Sequence, residues 1–228
     1  MVAMPSVGKS LLPGKAKNTI RGQLPLRAIK PLILASASPR RQQMLRQLGL
    51  HFTVCPADID ETRLSGEAAV PYAKRLAAAK AQKVAECYPE AYVLAADTVV
   101  CKGKKILGKP ESNEQARQML TVLAGTSHWV RTAYCLKCIK EHRENTGCVA
   151  AKVWFASHST AVIDAYLATG EPMDKAGAYG IQGLGAFLVE RLQGSYTTVV
   201  GLPLAEIIGE MLALGIISPD GATSIYKK

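Results

Sequence analysis

The chain has 228 residues, 48% hydrophobic and 20% charged, enough for one large domain or two small lobes around a sizeable core. No uninterrupted apolar run approaches the roughly 18 residues of a membrane span, and six dispersed cysteines lack the density of a secreted disulfide scaffold. The formal net charge of +10 is uneven: residues 1–30 hold six cations and no acid, leaving +4 for residues 31–228.

Residues 1–30 are rich in Gly, Pro and basic side chains and show little periodicity, which predicts a basic, disordered extension. The apolar stretch 6–13 is short for a secretory signal. No aromatic is interleaved with the charges, so nucleic acid is not expected as a partner. The reduced, mostly apolar setting of the cysteines suits the cytoplasm.

From residue 31 onward, strands and helices alternate, which indicates an α/β protein. Residues 32–35 read as a buried strand. Ser38 and Pro39 then supply an N-cap and a first helical residue, Met44, Leu45 and Leu48 an apolar face, and Gly49 a stop. Arg40 and Arg41 fall in that first turn, where the dipole disfavours cations. They are either solvated surface residues or the forks of an anion site. A short strand at 52–55 leads to the acidic loop Asp58-Ile59-Asp60-Glu61, and a long helix follows over 71–87. Residues 92–101 form the strongest strand pattern, turned by Lys102-Gly103-Lys104-Lys105 toward Ile106-Leu107. Ser112 and Gln115 make a capping box for a helix to residue 123, stopped by Gly125.

Residues 130–139 and 148–155 are strand-like around a polar stretch, which predicts a β-hairpin. Cys135, Cys138, His142 and Cys148 have the order of a compact zinc site, but Cys135 and Cys138 would point to opposite faces of an extended chain. Ser159 or Thr160 caps a helix through residue 168. A glycine-rich loop (Gly177, Gly180, Gly183, Gly185) leads to a strand over 187–192, and Pro203 opens a last helix through 214. The expected organisation is a domain over 31–214 and a tail over 215–228.

Three polar residues stand out. Asp97 lies in the apolar strand Val93–Val100, where a carboxylate must be paired, hydrogen-bonded or metal-bound. Lys80 continues the helical stripe Tyr72, Leu76, Val84, either snorkelling or facing a site. Lys109 sits in the extended loop Gly108-Lys109-Pro110. Arg40, Arg41, Lys80 and Lys109 suit a polyphosphate, while Asp60, Glu61 and Asp97 suit a divalent ion and activation of water. No Ser-His-Asp or Cys-His set is evident. The residues thus point to metal-assisted hydrolysis of a phosphoanhydride, without choosing the nucleotide.

Six motifs occur in order: Leu34-Ala35-Ser36-Ala37-Ser38-Pro39-Arg40-Arg41, Asp58-Ile59-Asp60-Glu61, Lys80-Ala81, Ala96-Asp97-Thr98-Val99-Val100, Gly108-Lys109-Pro110 and Gly201-Leu202-Pro203. Together they resemble the Maf family of nucleoside triphosphate pyrophosphatases over residues 31–214. The resemblance implies an α/β, Maf/ITPase-like fold, with a long mixed sheet, flanking helices and a substrate cleft between two lobes, commonly in a homodimer. It implies cleavage of a nucleoside triphosphate to the monophosphate and pyrophosphate with a divalent cation (Mg2+, Mn2+ or Co2+). Asp97 matches the proton acceptor. Ser36, Arg40, Arg41, Lys80 and Lys109 match substrate-handling positions, and Glu61 with Asp97 the metal-handling pair. Residues 174–183 resemble the branch that takes dTTP and UTP, with Arg40, Thr98 and Gln182 at its specificity positions. A glutamine amide suits the O4 and N3–H edge of a pyrimidine. The alternatives are a pyrophosphatase for a modified nucleotide such as 7-methyl-GTP, and a non-catalytic nucleotide- or nucleic-acid-binding regulator of cell division.

Overall fold

In the computed structural model of the chain, residues 26–219 are described. Strand β1 (Leu26–Ala28) is followed by β2 (Leu32–Leu34), helix α1 (Pro39–Gln47), β3 (Thr53–Val54) and the long helix α2 (Ala69–Cys87). Next come β4 (Tyr92–Lys102), β5 (Lys105–Leu107), α3 (Asn113–Leu123) and the hairpin of β6 (Ser127–Cys138) with β7 (Arg143–Phe155). Helix α4 (Thr160–Leu167) and three short 3-10 turns, Glu171–Asp174, Ala176–Ala178 and Gly183–Leu188, lead to β8 (Val189–Gln193). Helices α5 (Tyr196–Val200) and α6 (Leu204–Ala213) and strand β9 (Ile217–Pro219) complete the described residues.

Strands β3, β2, β4, β6, β7 and β8 lie in that order in one mixed sheet. The two β2 pairings are parallel and the others antiparallel. The sheet's spine is β4. Its alternating side chains serve both faces, as a strand buried on both sides requires. Val93, Ala95 and Val99 pack on the small-residue stripe of α2, built from Ala73, Ala77, Ala81 and Ala85. Tyr92, Leu94 and Ala96 face the other way, against Met44 and Leu45 of α1 and Ile207 and Met211 of α6. Further along that second face, Val100 joins a separate core with Leu120 of α3, Ile163 of α4 and Phe155. Between these two cores, Thr98 interrupts the apolar row. Two lobes therefore share one face of the sheet, with a polar seam between them.

One edge of β4 is paired with β6 from Val93 to Cys101. The other edge is shared: β2 pairs Tyr92–Leu94 and β5 pairs Val100–Lys102. Among the described residues no strand lies beside the intervening stretch, so Asp97 and Thr98 sit at a gap in the sheet. The gap opens beyond the carboxyl end of β2, where α/β sheets place their ligands.

Several expectations change. Residues 26–30 are ordered rather than part of a disordered extension, and 215–219 are not a free tail. Leu26–Ala28 pairs antiparallel with Ile217–Pro219, Ile216 and Ile217 are core residues, and Lys30 Nζ lies 2.8 Å from Glu141 Oε1. The expectations for residues 1–25 and 220–228 lie outside the described residues. Helix α2 begins two residues before the expected start, and β8 begins two residues late because Gly183–Leu188 coils into a 3-10 turn. Ser112 caps α3 by accepting from the Gln115 N–H, whereas Ser38 and Ser159 hold cap positions without a side-chain bond. In the hairpin, Cys135 packs in the core under α2 and Cys138 in the opposite one, so the two thiols cannot reach one ion.

Candidate active site

The segment after β2 keeps one sheet bond, Ala35 N–H to Leu94 C=O at 2.8 Å, and then turns into α1. Its first hydroxyl does the local work: Ser36 Oγ accepts from the Ser38 N–H at 3.3 Å and from Arg41 Nη1 at 3.1 Å. Both bonds use Ser36 as acceptor, so its own proton remains to be donated.

Arg41 is locked by three acceptors. Besides Ser36, Nε donates to the Gly201 carbonyl at 2.8 Å and Nη2 to Thr98 Oγ1 at 3.0 Å. This gives the Gly201-Leu202-Pro203 motif a structural reason. Thr132 spends its proton on the Thr198 carbonyl at 2.7 Å, so in the 2.9 Å contact between the threonine hydroxyls Thr98 must be the donor. The Thr98 hydroxyl thus accepts from Arg41 and donates to Thr132, with no proton left for a ligand. Burial pushes the Arg41 pKa down, the charges of Asp97 and Glu61 oppose that, and Arg40 adds to it. Two of its five N–H groups stay unspent. The two arginines are therefore not a matched pair: Arg40 reaches Asp174 Oδ2 at 3.6 Å instead.

Lys80 is placed differently from the expected polyphosphate cation. Its Nζ lies 2.8 Å from Asp97 Oδ1 and 2.7 Å from Glu61 Oε1, joining helix α2, strand β4 and the acidic loop in one ion triad. Lys80 and Asp97 are each only 8% exposed, so neither is a snorkelling surface group. Burial pushes the Glu61 carboxyl up, but the Lys80 bond and charge, with Lys109 and Arg41 behind them, bring it below the ordinary glutamate range. Tyr72 Oη donates to the Glu61 carbonyl at 2.8 Å and pins that loop. The Lys109 loop is tied by the Gly177 N–H to the Gly108 carbonyl at 3.0 Å, leaving the lysine itself exposed.

Nine of the residues singled out from the sequence, Ser36, Arg40, Arg41, Glu61, Lys80, Asp97, Thr98, Lys109 and Gln182, line one cleft of ≈ 540 Å³, and Asp60 does not. Asp174, Lys175 and Tyr179 line it as well. All three fall in the 174–183 stretch, with no role assigned to them from the sequence; Tyr72 showed only as part of a helical stripe. Asp60 turns away, its Oδ1 accepting from the Thr62 N–H at 2.8 Å.

The acid pair fits a divalent ion. Glu61 and Asp97 converge within 2.8 Å of a single point, now taken by an ammonium. Two carboxylates completed by water and substrate phosphate are the usual protein share of a Mg2+-type site.

Residues 31–214 match the family described as Maf-like protein. The chain is 48% identical to the dTTP/UTP pyrophosphatase of Desulfotalea psychrophila over 189 residues, covering 83% of this chain and 97% of that one. It is 49% identical to the dTTP/UTP pyrophosphatase of Myxococcus xanthus, over 82% of this chain and 94% of the other. The solved Staphylococcus aureus Ham1 protein is a distant likeness, at 13% identity and a TM-score of 0.47 over 79% of this chain and 100% of that one.

Proposed function

This chain belongs to the Maf-like family, and from that membership and its cleft we infer that it is a nucleoside triphosphate pyrophosphatase, hydrolysing dTTP and UTP to the monophosphate and pyrophosphate. The single observation that carries the reading is the meeting of cationic and hydroxyl donors with a carboxylate pair at one gap in the sheet.

The triphosphate lies against the start of α1, where the Ser36 hydroxyl, the unspent Arg41 N–H groups and Arg40 converge, with Lys109 closing from the opposite loop. Glu61 and Asp97 would hold a divalent cation (Mg2+, Mn2+ or Co2+), which when bound neutralises phosphate charge. Lys80 balances the two acids and fixes Asp97 Oδ1. Asp97 takes the proton of the attacking water. The water oxygen bonds to the α-phosphorus, the bond from that phosphorus to the bridging oxygen breaks, and pyrophosphate leaves with its electron pair. The cations stabilise the charge developing there. At the other end, the Gln182 amide meets the base edge, while Thr98 serves specificity by holding Arg41 in place.

A homodimer is supported by the family resemblance, and light scattering of the purified protein tests it. A cytoplasmic setting is supported by six unpaired thiols. Among the described residues no helix is long and apolar enough to cross a membrane.

The test of the substrate reading is pyrophosphate release from UTP, dTTP, CTP, GTP and 7-methyl-GTP with each metal. The expected result is fastest turnover of dTTP and UTP. Fastest turnover of 7-methyl-GTP, or no pyrophosphate from any of the five, contradicts it.

A further inference from the structure

The glycine-rich segment of the cleft is wrapped around two side chains that the reaction above does not use. Tyr166, buried on α4, donates its hydroxyl to Glu171 Oε1 at 2.9 Å and accepts from the Gly180 N–H at 3.3 Å. Glu171 in turn accepts from the Leu184 N–H at 2.9 Å and the Gly185 N–H at 3.0 Å. Burial pushes the Glu171 carboxyl up, yet the two amide bonds, the phenol and the Lys175 charge together hold it below the usual glutamate range. Burial and the Glu171 contact push the phenol far above its ordinary value, so it remains a donor at any working pH.

The glycines explain themselves by this pair rather than by a ligand. A Cβ on Gly185 would lie 2.5 Å from Tyr166 Oη and 2.6 Å from the Gly180 carbonyl. A Cβ on Gly183, at φ +83°, would lie 2.9 Å from Glu171 Oε2. So many glycines would leave the loop loose on their own. Instead it is held at Gly180 on one side and at Leu184 and Gly185 on the other. The short free span between those anchors is Ile181-Gln182-Gly183, and Gln182 lines the cleft. The turn carrying Glu171 also carries Asp174, the partner of Arg40, so the base end and the phosphate end of the cleft hang on four residues.

We propose that Glu171, supported by Tyr166, is a positioning residue for base selection, fixing the loop so that the Gln182 amide meets a pyrimidine edge. This rests on the dTTP and UTP reading of the same cleft. Hydrogen-bond discrimination requires donor and acceptor to be held near one geometry, and a carboxylate that accepts from three donors supplies that rigidity. An amide in its place keeps the volume but turns one acceptor into a donor facing an N–H.

The experiment is steady-state pyrophosphate release from UTP, dTTP and CTP by the wild type, Glu171→Gln, Tyr166→Phe, Gln182→Ala and the Glu171→Gln, Gln182→Ala double variant. Glu171→Gln is expected to raise KM for UTP and dTTP about tenfold, change kcat less than about threefold, and lower the UTP-to-CTP ratio of kcat/KM about tenfold. Tyr166→Phe should move the same ratio in the same direction by less. Adding Gln182→Ala to Glu171→Gln should lower the ratio little further, because both act through one amide. A wild-type ratio in Glu171→Gln, with kcat reduced equally on all three substrates, would overturn the proposal, as would multiplying effects in the double variant. If Glu171→Gln does not fold, the ratio in Tyr166→Phe decides. A wild type without preference for UTP and dTTP over CTP overturns the substrate reading, and this proposal with it, before any variant is compared.

Discussion

Lys80 shows how much a single side chain decides in this cleft. Its ammonium takes the point on which Glu61 and Asp97 converge, so it compensates two acids that would otherwise repel across the gap. Lys80→Met should therefore destabilise the fold by about 3 kcal/mol, the low end for a broken buried pair because Glu61 is half-solvated. It also leaves the two acids free to draw a cation. Melting temperature measured in chelator and then in Mg2+ or Mn2+ should rise more in Lys80→Met than in the wild type. Equal rises would mean that Lys80 does not compete with the ion, and no rise in either protein would mean that the acid pair does not bind it. The arginines divide in a similar way. Arg41→Lys keeps a charge but cannot span the Gly201, Ser36 and Thr98 acceptors, and should lose about 1–3 kcal/mol along with activity. Arg40→Ala should leave the melting temperature within about a degree or two while raising KM, because its 3.6 Å contact to an exposed Asp174 contributes little to stability. Thermal melts beside KM values separate the two.

At the scale of elements, local chemistry carried far into the fold. The Ser-Pro start of α1, the strand of Asp97, the stripe of α2, the capped α3 and the Cys135 hairpin could all be read from the chain, because each is marked by its own periodicity, cap or turn. The 3-10 turns of 171–188 have no such mark; they take their shape from Tyr166 and Glu171. The pairing of β1 with β9 joins segments about 190 residues apart and has no local signal. Nine side chains of the cleft could be named from their motifs, but their partners could not: Lys80 facing acids, and Thr98 spent on Arg41, depend on which strands and helices meet.

Strand β6 supplies a test of the buried polar interior. His128 is 1% exposed, edge-on to Phe155 and Tyr179, with Nε2 2.8 Å from the Tyr179 hydroxyl. Burial, helped by the Lys102 charge, lowers its pKa to about 4 from 6.5. The sign follows from linkage: above pH 6.5 the imidazole is neutral in both states, and below it the unfolded chain takes up a proton that the fold refuses. Stability is thus lost as pH falls from 6.5 toward 4, by about 1.4 kcal/mol per unit. Urea midpoints at pH 7 and pH 5 should show the wild type losing about 2 kcal/mol more than His128→Phe over that interval. The same pH slope in both proteins would show that His128 is not the titrating group.

For the whole molecule, the decisive feature is the sheet edge left open between β2 and β5, flanked by two cores on one face and by α2 on the other. That opening lets Asp97 from one face and Arg41, held by Thr98 on the other, work in a single cleft. The alternation of strands and helices announces an α/β fold, but strand order, the gap and the two-lobed division come from pairings between distant segments. The central claim is that Asp97, in this gap, accepts the proton of the water that attacks the nucleotide. It is tested most directly by the initial rate of pyrophosphate release from dTTP and UTP, with divalent metal present, by the wild type and by Asp97→Asn of matched melting behaviour. The account predicts a fall of about 10²–10⁴ in kcat on both substrates. Near wild-type release from the folded Asp97→Asn protein would contradict it.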